Sequence, residues 1–418
     1  MTTTARPPAS RRLRRGPLAR RQVVLLLVVL PTLLGVACRV DGTARIAPYR
    51  SLPPAQVTAR VLTGGAGVLA GSPDGSLSAV ADAARGVCLT PTGASAAAPA
   101  VCARIPLTGG AAVTAAFSPD GRWLAVGQGI GVQRGGQVWL VDPRTGAVRG
   151  VPTADGRPAG SSPATSGPSS APRSGAPSTP PTTTTARPAP SLYIGMVWGA
   201  AGDLLLISSS QDTTGTRTRL VDVDPLSLVP RVVAEATGPY EFQSGYLASG
   251  GATAVFTVYR GDQLQANLVT VDLNSGRRRE FSSVGPAGTQ PVPLAVSPDG
   301  RVAVVGLATL TDPGPPRLLD VATGALTDMP GLTGNFALAA FSPDGARVAV
   351  AATGADGRVS LALVSLGVAP LAAARTVSTT AGPLPRAGRL AWSRFDVLSI
   401  AAAAVPGPAS LVGWRLTG

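Results

Sequence analysis

One four-residue phrase, Ser-Pro-Asp-Gly, recurs along this chain between apolar flanks, and no other feature narrows its fold as far. It reads F-S-P-D-G-A-R-V-A-V-A at Phe341–Ala351, F-S-P-D-G-R-W-L-A-V at Phe117–Val126, V-S-P-D-G-R-V-A-V-V at Val296–Val305 and G-S-P-D-G-S-L-S-A-V at Gly71–Val80. Pro73, Pro119, Pro298 and Pro343 preset φ for the second position of a type I turn. Asp74, Asp120, Asp299 and Asp344 suit the third position and can bond to their own backbone. Gly75, Gly121, Gly300 and Gly345 then take the left-handed conformation without steric cost. Apolar, β-branched-rich flanks make each phrase the corner between two antiparallel strands.

A second hairpin signal follows about two dozen residues later. It reads apolar, apolar, Asp, then a short gap that often ends in Gly: Leu140-Val141-Asp142 with Gly146, Leu220-Val221-Asp222, Val271-Asp272 with Gly276, and Leu319-Asp320 with Gly324. Each repeat then holds two hairpins. Four strands in about 40–50 residues is the signature of a β-propeller blade. Blades are expected at about 63–110, 111–153, 191–238, 239–286, 288–332 and 333–378. The third carries a drifted first turn at Trp198-Gly199-Ala200-Ala201-Gly202-Asp203, and the fourth has Ser249-Gly250-Gly251 there. The last segment, 381–418, is one strand short, and the alternating stretch Gln56–Leu62 can supply it. Such a join closes the ring and leaves no bare sheet edge between the ends. The expected fold is therefore all-β, a propeller of seven four-stranded blades over residues 56–418. Six or eight blades fit if the degenerate turns are counted otherwise.

The chain lacks histidine, and all 36 of its basic residues are arginine. Absence of histidine removes the usual general base and the commonest transition-metal ligand. Absence of lysine removes Schiff-base chemistry and a Walker-type phosphate lysine. The formal charge of +14 resembles a nucleic-acid signal, yet residues 1–38 alone carry seven Arg and no acid. The remaining 29 Arg face 22 acids, and only Arg277-Arg278-Arg279 forms a cluster. That cluster follows a hairpin turn and reads as a solvated strand edge; contact with anionic lipid or cell-wall polymer is the alternative. No nucleic-acid partner is expected.

Residues 1–22 are polar and basic, and Val23–Ala37 are apolar up to Cys38. A basic start, a short apolar stretch and small residues before a cysteine describe an export signal. The apolar run is brief for a spanning helix, which needs about 20 residues, and Pro31 interrupts it. Leu34-Gly35-Val36-Ala37-Cys38 resembles the lipobox of bacterial lipoproteins, which implies lipidation of Cys38. Gly35 stands where that motif prefers Leu, so an uncleaved helical signal anchor is the other reading. Both put the remainder on the extracytoplasmic face of the cell membrane, after a tether at 39–55. Cys88 and Cys102 fall on opposite sides of a hairpin centred on 93–97, within reach of a disulfide. Export supplies the oxidising compartment; two buried free thiols are the alternative. Residues 154–190 are a Pro/Ser/Thr tract with almost no apolar bulk, read as a disordered insertion loop between blades.

The Ser-Pro-Asp-Gly phrases and their apolar flanks resemble the WD40-like repeats of TolB-type propellers of bacterial exported proteins. The resemblance covers about 56–418 apart from the tract and implies fold rather than activity. The Gly-His and Trp-Asp dipeptides of eukaryotic WD40 repeats are missing. The Asp box of sialidases places a residue between Asp and Gly, which are adjacent here, so that reading fails.

No Gly-x-Ser-x-Gly elbow is present. Metal binding can rest only on carboxylates and carbonyls, hence on Ca²⁺. Asp222 and Asp224 alternate near a hairpin and are the one candidate pair, with Asp224-Pro225 reading more simply as turn chemistry. No catalytic residue, metal ligand or cofactor is assigned. The expected function is a non-enzymatic binding or scaffold module, tethered to the membrane, for a protein or envelope polymer. The alternative is a propeller hydrolase or lyase with carboxylates, alone or with Ca²⁺, around the central channel.

Overall fold

The computed structural model describes residues 56–64, 68–82, 84–91, 101–107, 113–130, 136–154, 192–212, 215–237, 240–260, 266–282, 284–286, 288–308, 314–329, 332, 337–353, 359–366, 375–380, 390–392, 397–402 and 410–417. The export signal, Cys38, the tether at 39–55 and the tract at 154–190, Ala154 excepted, lie outside the described residues. Among the described residues there is no helix, and 28 strands alternate with turns.

β1 (Gln56–Gly64) comes first and pairs with the last strand of the chain. Sheet one follows with β2 (Val68–Gly71), β3 (Leu77–Asp82), β4 (Gly86–Pro91) and β5 (Val101–Ala103). Sheet two has β6 (Val113–Phe117), β7 (Leu124–Gln128), β8 (Gln137–Val141) and β9 (Val148–Gly150). Sheet three has β10 (Leu192–Trp198), β11 (Leu204–Asp212), β12 (Gly215–Val223) and β13 (Pro230–Thr237). Sheet four has β14 (Tyr240–Gly250), β15 (Thr253–Arg260), β16 (Ala266–Asp272) and β17 (Arg278–Phe281). Sheet five has β18 (Gln290–Val296), β19 (Val302–Ala308), β20 (Arg317–Asp320) and β21 (Leu326–Asp328). Sheet six has β22 (Ala337–Phe341), β23 (Arg347–Thr353), β24 (Val359–Ser365) and β25 (Arg375–Thr380). Sheet seven has β26 (Leu390–Trp392), β27 (Val397–Ala402) and β28 (Ser410–Thr417), with β1 as its fourth strand. The β1–β28 register runs antiparallel from Gln56 opposite Thr417 to Gly64 opposite Ser410.

Every sheet has four antiparallel strands; the first six are meanders of consecutive strands, and the seventh is a three-strand meander completed by β1. The central strands are apolar on both sides because each sheet is packed between two neighbours. Side chains alternate across a strand, and the cores follow that alternation. Leu124 and Val126 of β7 pack back on sheet one, with Val87 and Leu89, while Ala125 between them packs forward on sheet three, with Leu204 and Leu206. Phe256 and Val258 face sheet three while Val255 faces sheet five. Val304 joins Val348 and Val350 of sheet six. First strands meet first strands: β2 lies against β6, β10 against β14, β14 against β18, β18 against β22 and β22 against β26. β2 also lies against β27 of sheet seven, so the order of sheets returns to its start. This is the architecture of a β-propeller.

Candidate binding face

In a four-stranded meander the first and third hairpin turns leave the sheet at one end. That end carries all the Ser-Pro-Asp-Gly corners and all the Asp-x-x-x-Gly turns, so they share one face of the ring. The corner is built around its serine. Ser72, Ser118, Ser297 and Ser342 are buried, at 4%, 0%, 3% and 1% exposure. Each hydroxyl donates to the aspartate two residues on, at 2.6 Å for Asp74, Asp120 and Asp299 and 2.5 Å for Asp344. Each Ser Oγ also accepts the backbone N–H five residues on, at 2.8 Å from Leu77, 3.0 Å from Trp123, 3.0 Å from Val302 and 2.9 Å from Arg347. The same carboxylates accept N–H groups of Ser76, Arg122, Arg301 and Ala346. The four glycines have φ of 71°, 73°, 73° and 72°. Sequence reasoning gave the aspartate its place but missed the serine, which joins the carboxylate to the strand that follows. The invariant Ser at the head of all four phrases was the available signal.

Ser118→Ala is therefore expected to cost about 2 kcal/mol, because it strands the half-buried Trp123 N–H and takes a donor from the Asp120 carboxylate. Ser118→Thr, which keeps the hydroxyl, should recover part of this loss. Urea midpoints of the two variants check both statements.

The aspartates also set the acid limit. Burial raises Asp74 and Asp120, but bonds from Ser72 and Ser118 and from the following N–H groups outweigh it, and both are held below the ordinary 3.8. Backbone N–H groups hold down Asp142 (from Arg144), Asp224 (from Leu226), Asp272 (from Ser275) and Asp320 (from Thr323). A carboxyl with a lowered folded pKa adds stability above its unfolded value and loses it as pH falls through the folded one. Stability is thus expected to hold down to about pH 4 and to fall cooperatively below it, as chemical denaturation across pH 2–5 will test.

Asp222 and Asp224 do not converge on a cation site. Asp222 meets Arg231 at 2.6 Å, and Asp224 accepts the N–H groups of Leu226 and Ser227 inside its own turn. Among the described residues no group of three metal-ligating side chains gathers anywhere. In the arginine cluster, Arg278 lies 3.7 Å from Glu280, and Arg279 lies over the Phe281 ring at 6.0 Å. Arg277 and Arg279 are exposed at the outer strand of sheet four. Cys88 and Cys102 face each other across β4 and β5 and are joined as a disulfide.

Neighbouring sheets are also fastened by polar contacts. Trp198 Nε1 of sheet three donates to the Ala116 carbonyl of sheet two at 2.8 Å, and Ser249 Oγ of sheet four donates to the Trp198 carbonyl at 2.9 Å. Arg347 of sheet six lies over the Trp392 ring of sheet seven at 5.4 Å. The Arg149 guanidinium of sheet two sits over Trp123 at 5.8 Å and donates to the carbonyls of Pro225 (3.1 Å) and Leu226 (2.7 Å) in sheet three.

No family model and no curated protein match this chain. Solved structures do resemble it in fold. Kuenenia stuttgartiensis hydrazine synthase gives a TM-score of 0.50 at 12% identity, over 88% of this chain and 99% of that one. TolB from Acinetobacter baumannii gives 0.39 at 11% identity, over 87% and 81%. Oligogalacturonate lyase from Vibrio parahaemolyticus gives 0.49 at 13% identity, over 86% and 97%. At such identities the likeness is one of fold alone.

Proposed function

We propose that this chain is a seven-bladed, membrane-tethered propeller on the extracytoplasmic face of the cell membrane, and that it acts as a non-enzymatic binding or scaffold module. Its partner is an envelope protein or polymer, and its tether is the segment before residue 56, lipidated at Cys38 or retained as a signal anchor. One observation carries the reading. The first strands of the seven sheets, which stand closest to the axis, contain a single carboxylate, Glu241 of β14, in a chain that has neither His nor Lys. General acid–base work needs a positioned titratable pair, and the turn aspartates are already spent on their own corners.

Photo-crosslinking of the full-length protein in its native envelope, from probes on both ring faces, is expected to trap a defined adduct. Lack of any adduct from either face would count against the proposal. Turnover of lactone or uronide substrates that Glu241→Gln abolishes would replace it with the hydrolase or lyase reading.

A further inference from the structure

The third-hairpin turns form an internal series in which one member departs from the rest. Asp142–Gly146, Asp224–Leu228, Asp272–Gly276 and Asp320–Gly324 share one backbone. In each, the fifth residue donates its N–H to the first carbonyl, at 2.8, 2.9, 2.8 and 2.8 Å. In each, the aspartate accepts the N–H of the third residue, at 2.8, 3.0, 3.0 and 2.9 Å. Three members end in glycine with φ of 72°, 70° and 78°; the sheet-three member holds Leu228 in the same region at 58°. A leucine there is strained where glycine is not. The third position is Arg144, Asn274 or Ala322 in the other turns and Leu226 here. Leu226 is 70% exposed and Val229 64%. The turn geometry requires none of these apolar residues, since its three counterparts form without them.

The ridge is also held in place. Arg149 clamps the carbonyls of Pro225 and Leu226, and Arg231 bridges Asp222 and the Leu273 carbonyl of sheet four. A pre-ordered surface loses little entropy on binding. Its surroundings are negative on balance. The β11–β12 ladder pairs Leu204 with Val223 and Leu205 with Asp222, which sets Asp203 at its end beside Asp222 and Asp224, near Arg149 and Arg231, and burial with these two carboxylates raises Asp203. Among the described residues no cation lies within salt-bridge distance of Asp203.

We propose that the Leu226–Val229 ridge, with Asp203 beside it, is the docking surface of this propeller for a protein segment that presents apolar side chains next to an arginine or lysine. This rests on the binding-module reading and deepens it. A second copy is a poor occupant, because a ridge facing its own twin would set carboxylate against carboxylate.

The test uses full-length protein in detergent micelles and three labelled synthetic peptides. They share one Leu/Val pattern and carry Arg, Glu or Ser at the flanking positions. Wild type is expected to prefer the Arg peptide. Leu226→Ser with Val229→Ser should weaken it about tenfold or more, and Asp203→Asn should erase the preference of Arg over Ser. Both apolar sites are exposed, so the melting transition should stay in place. Failure to bind any peptide, or equal preference for the Glu peptide, overturns the proposal. Binding unchanged in the double variant overturns the ridge while leaving a binding module with its contact elsewhere. Self-association or vesicle binding that the double variant abolishes assigns the ridge to another occupant and likewise overturns it.

Discussion

Replacing Ala59 and Arg60 together by proline is expected to destabilise the whole propeller by about 3 kcal/mol or more and to make it prone to aggregate. These residues oppose Trp414 and Gly413 in the β1–β28 ladder. Antiparallel pairs alternate between bonded and non-bonded positions, so two consecutive prolines must remove at least one ladder bond. They also lock φ at both sites. Loosening β1 would bare the edge of β28, a long strand whose backbone groups would then seek other chains. A urea midpoint measured beside the Ala59→Ser/Arg60→Ala control separates backbone from side-chain effects. An unchanged midpoint in the proline variant would mean that sheet seven does not depend on β1.

The second large effect concerns the Cys88–Cys102 bridge, which closes a loop of sequence separation 14 across β4 and β5. Reduction, or Cys88→Ser with Cys102→Ser, is expected to cost about 3 kcal/mol on the chain-entropy account. β5 has only three residues, so few ladder bonds hold it without the bridge. Denaturation with and without reductant should show the loss, and the double serine variant should show none of that sensitivity. Equal midpoints for the oxidised and reduced protein would contradict the account.

Much of the fold is legible in the sequence because the corner chemistry is local. Pro73, Asp74 and Gly75 need only each other and Ser72 to bend the chain, so four phrases locate four first turns. Where the chemistry drifted, at Gly199–Asp203 and Gly250–Gly251, alternation alone marked the strands, and the count of blades stayed open. The face-to-face packing of Ala125 and Leu206 leaves no local mark, since it depends on strands far apart in the chain. The ridge was hidden for a related reason. Leu226 and Val229 read as ordinary apolar residues near a hairpin, and only their exposure, where the equivalent turns carry small or polar residues, sets them apart. Asp203 was seen as part of a worn turn, and its carboxylate neighbours arrive through the pairing of β11 with β12.

The clasp between β1 and β28 also governs when the molecule can become itself. The strand that seats β1 is synthesised after everything between them, so an emerging chain can stack its early sheets but cannot seal the circle until its final strand is free. Until then β1 has no place to rest, and premature stops within Ser410–Thr417 should leave an otherwise nearly finished ring sprung open.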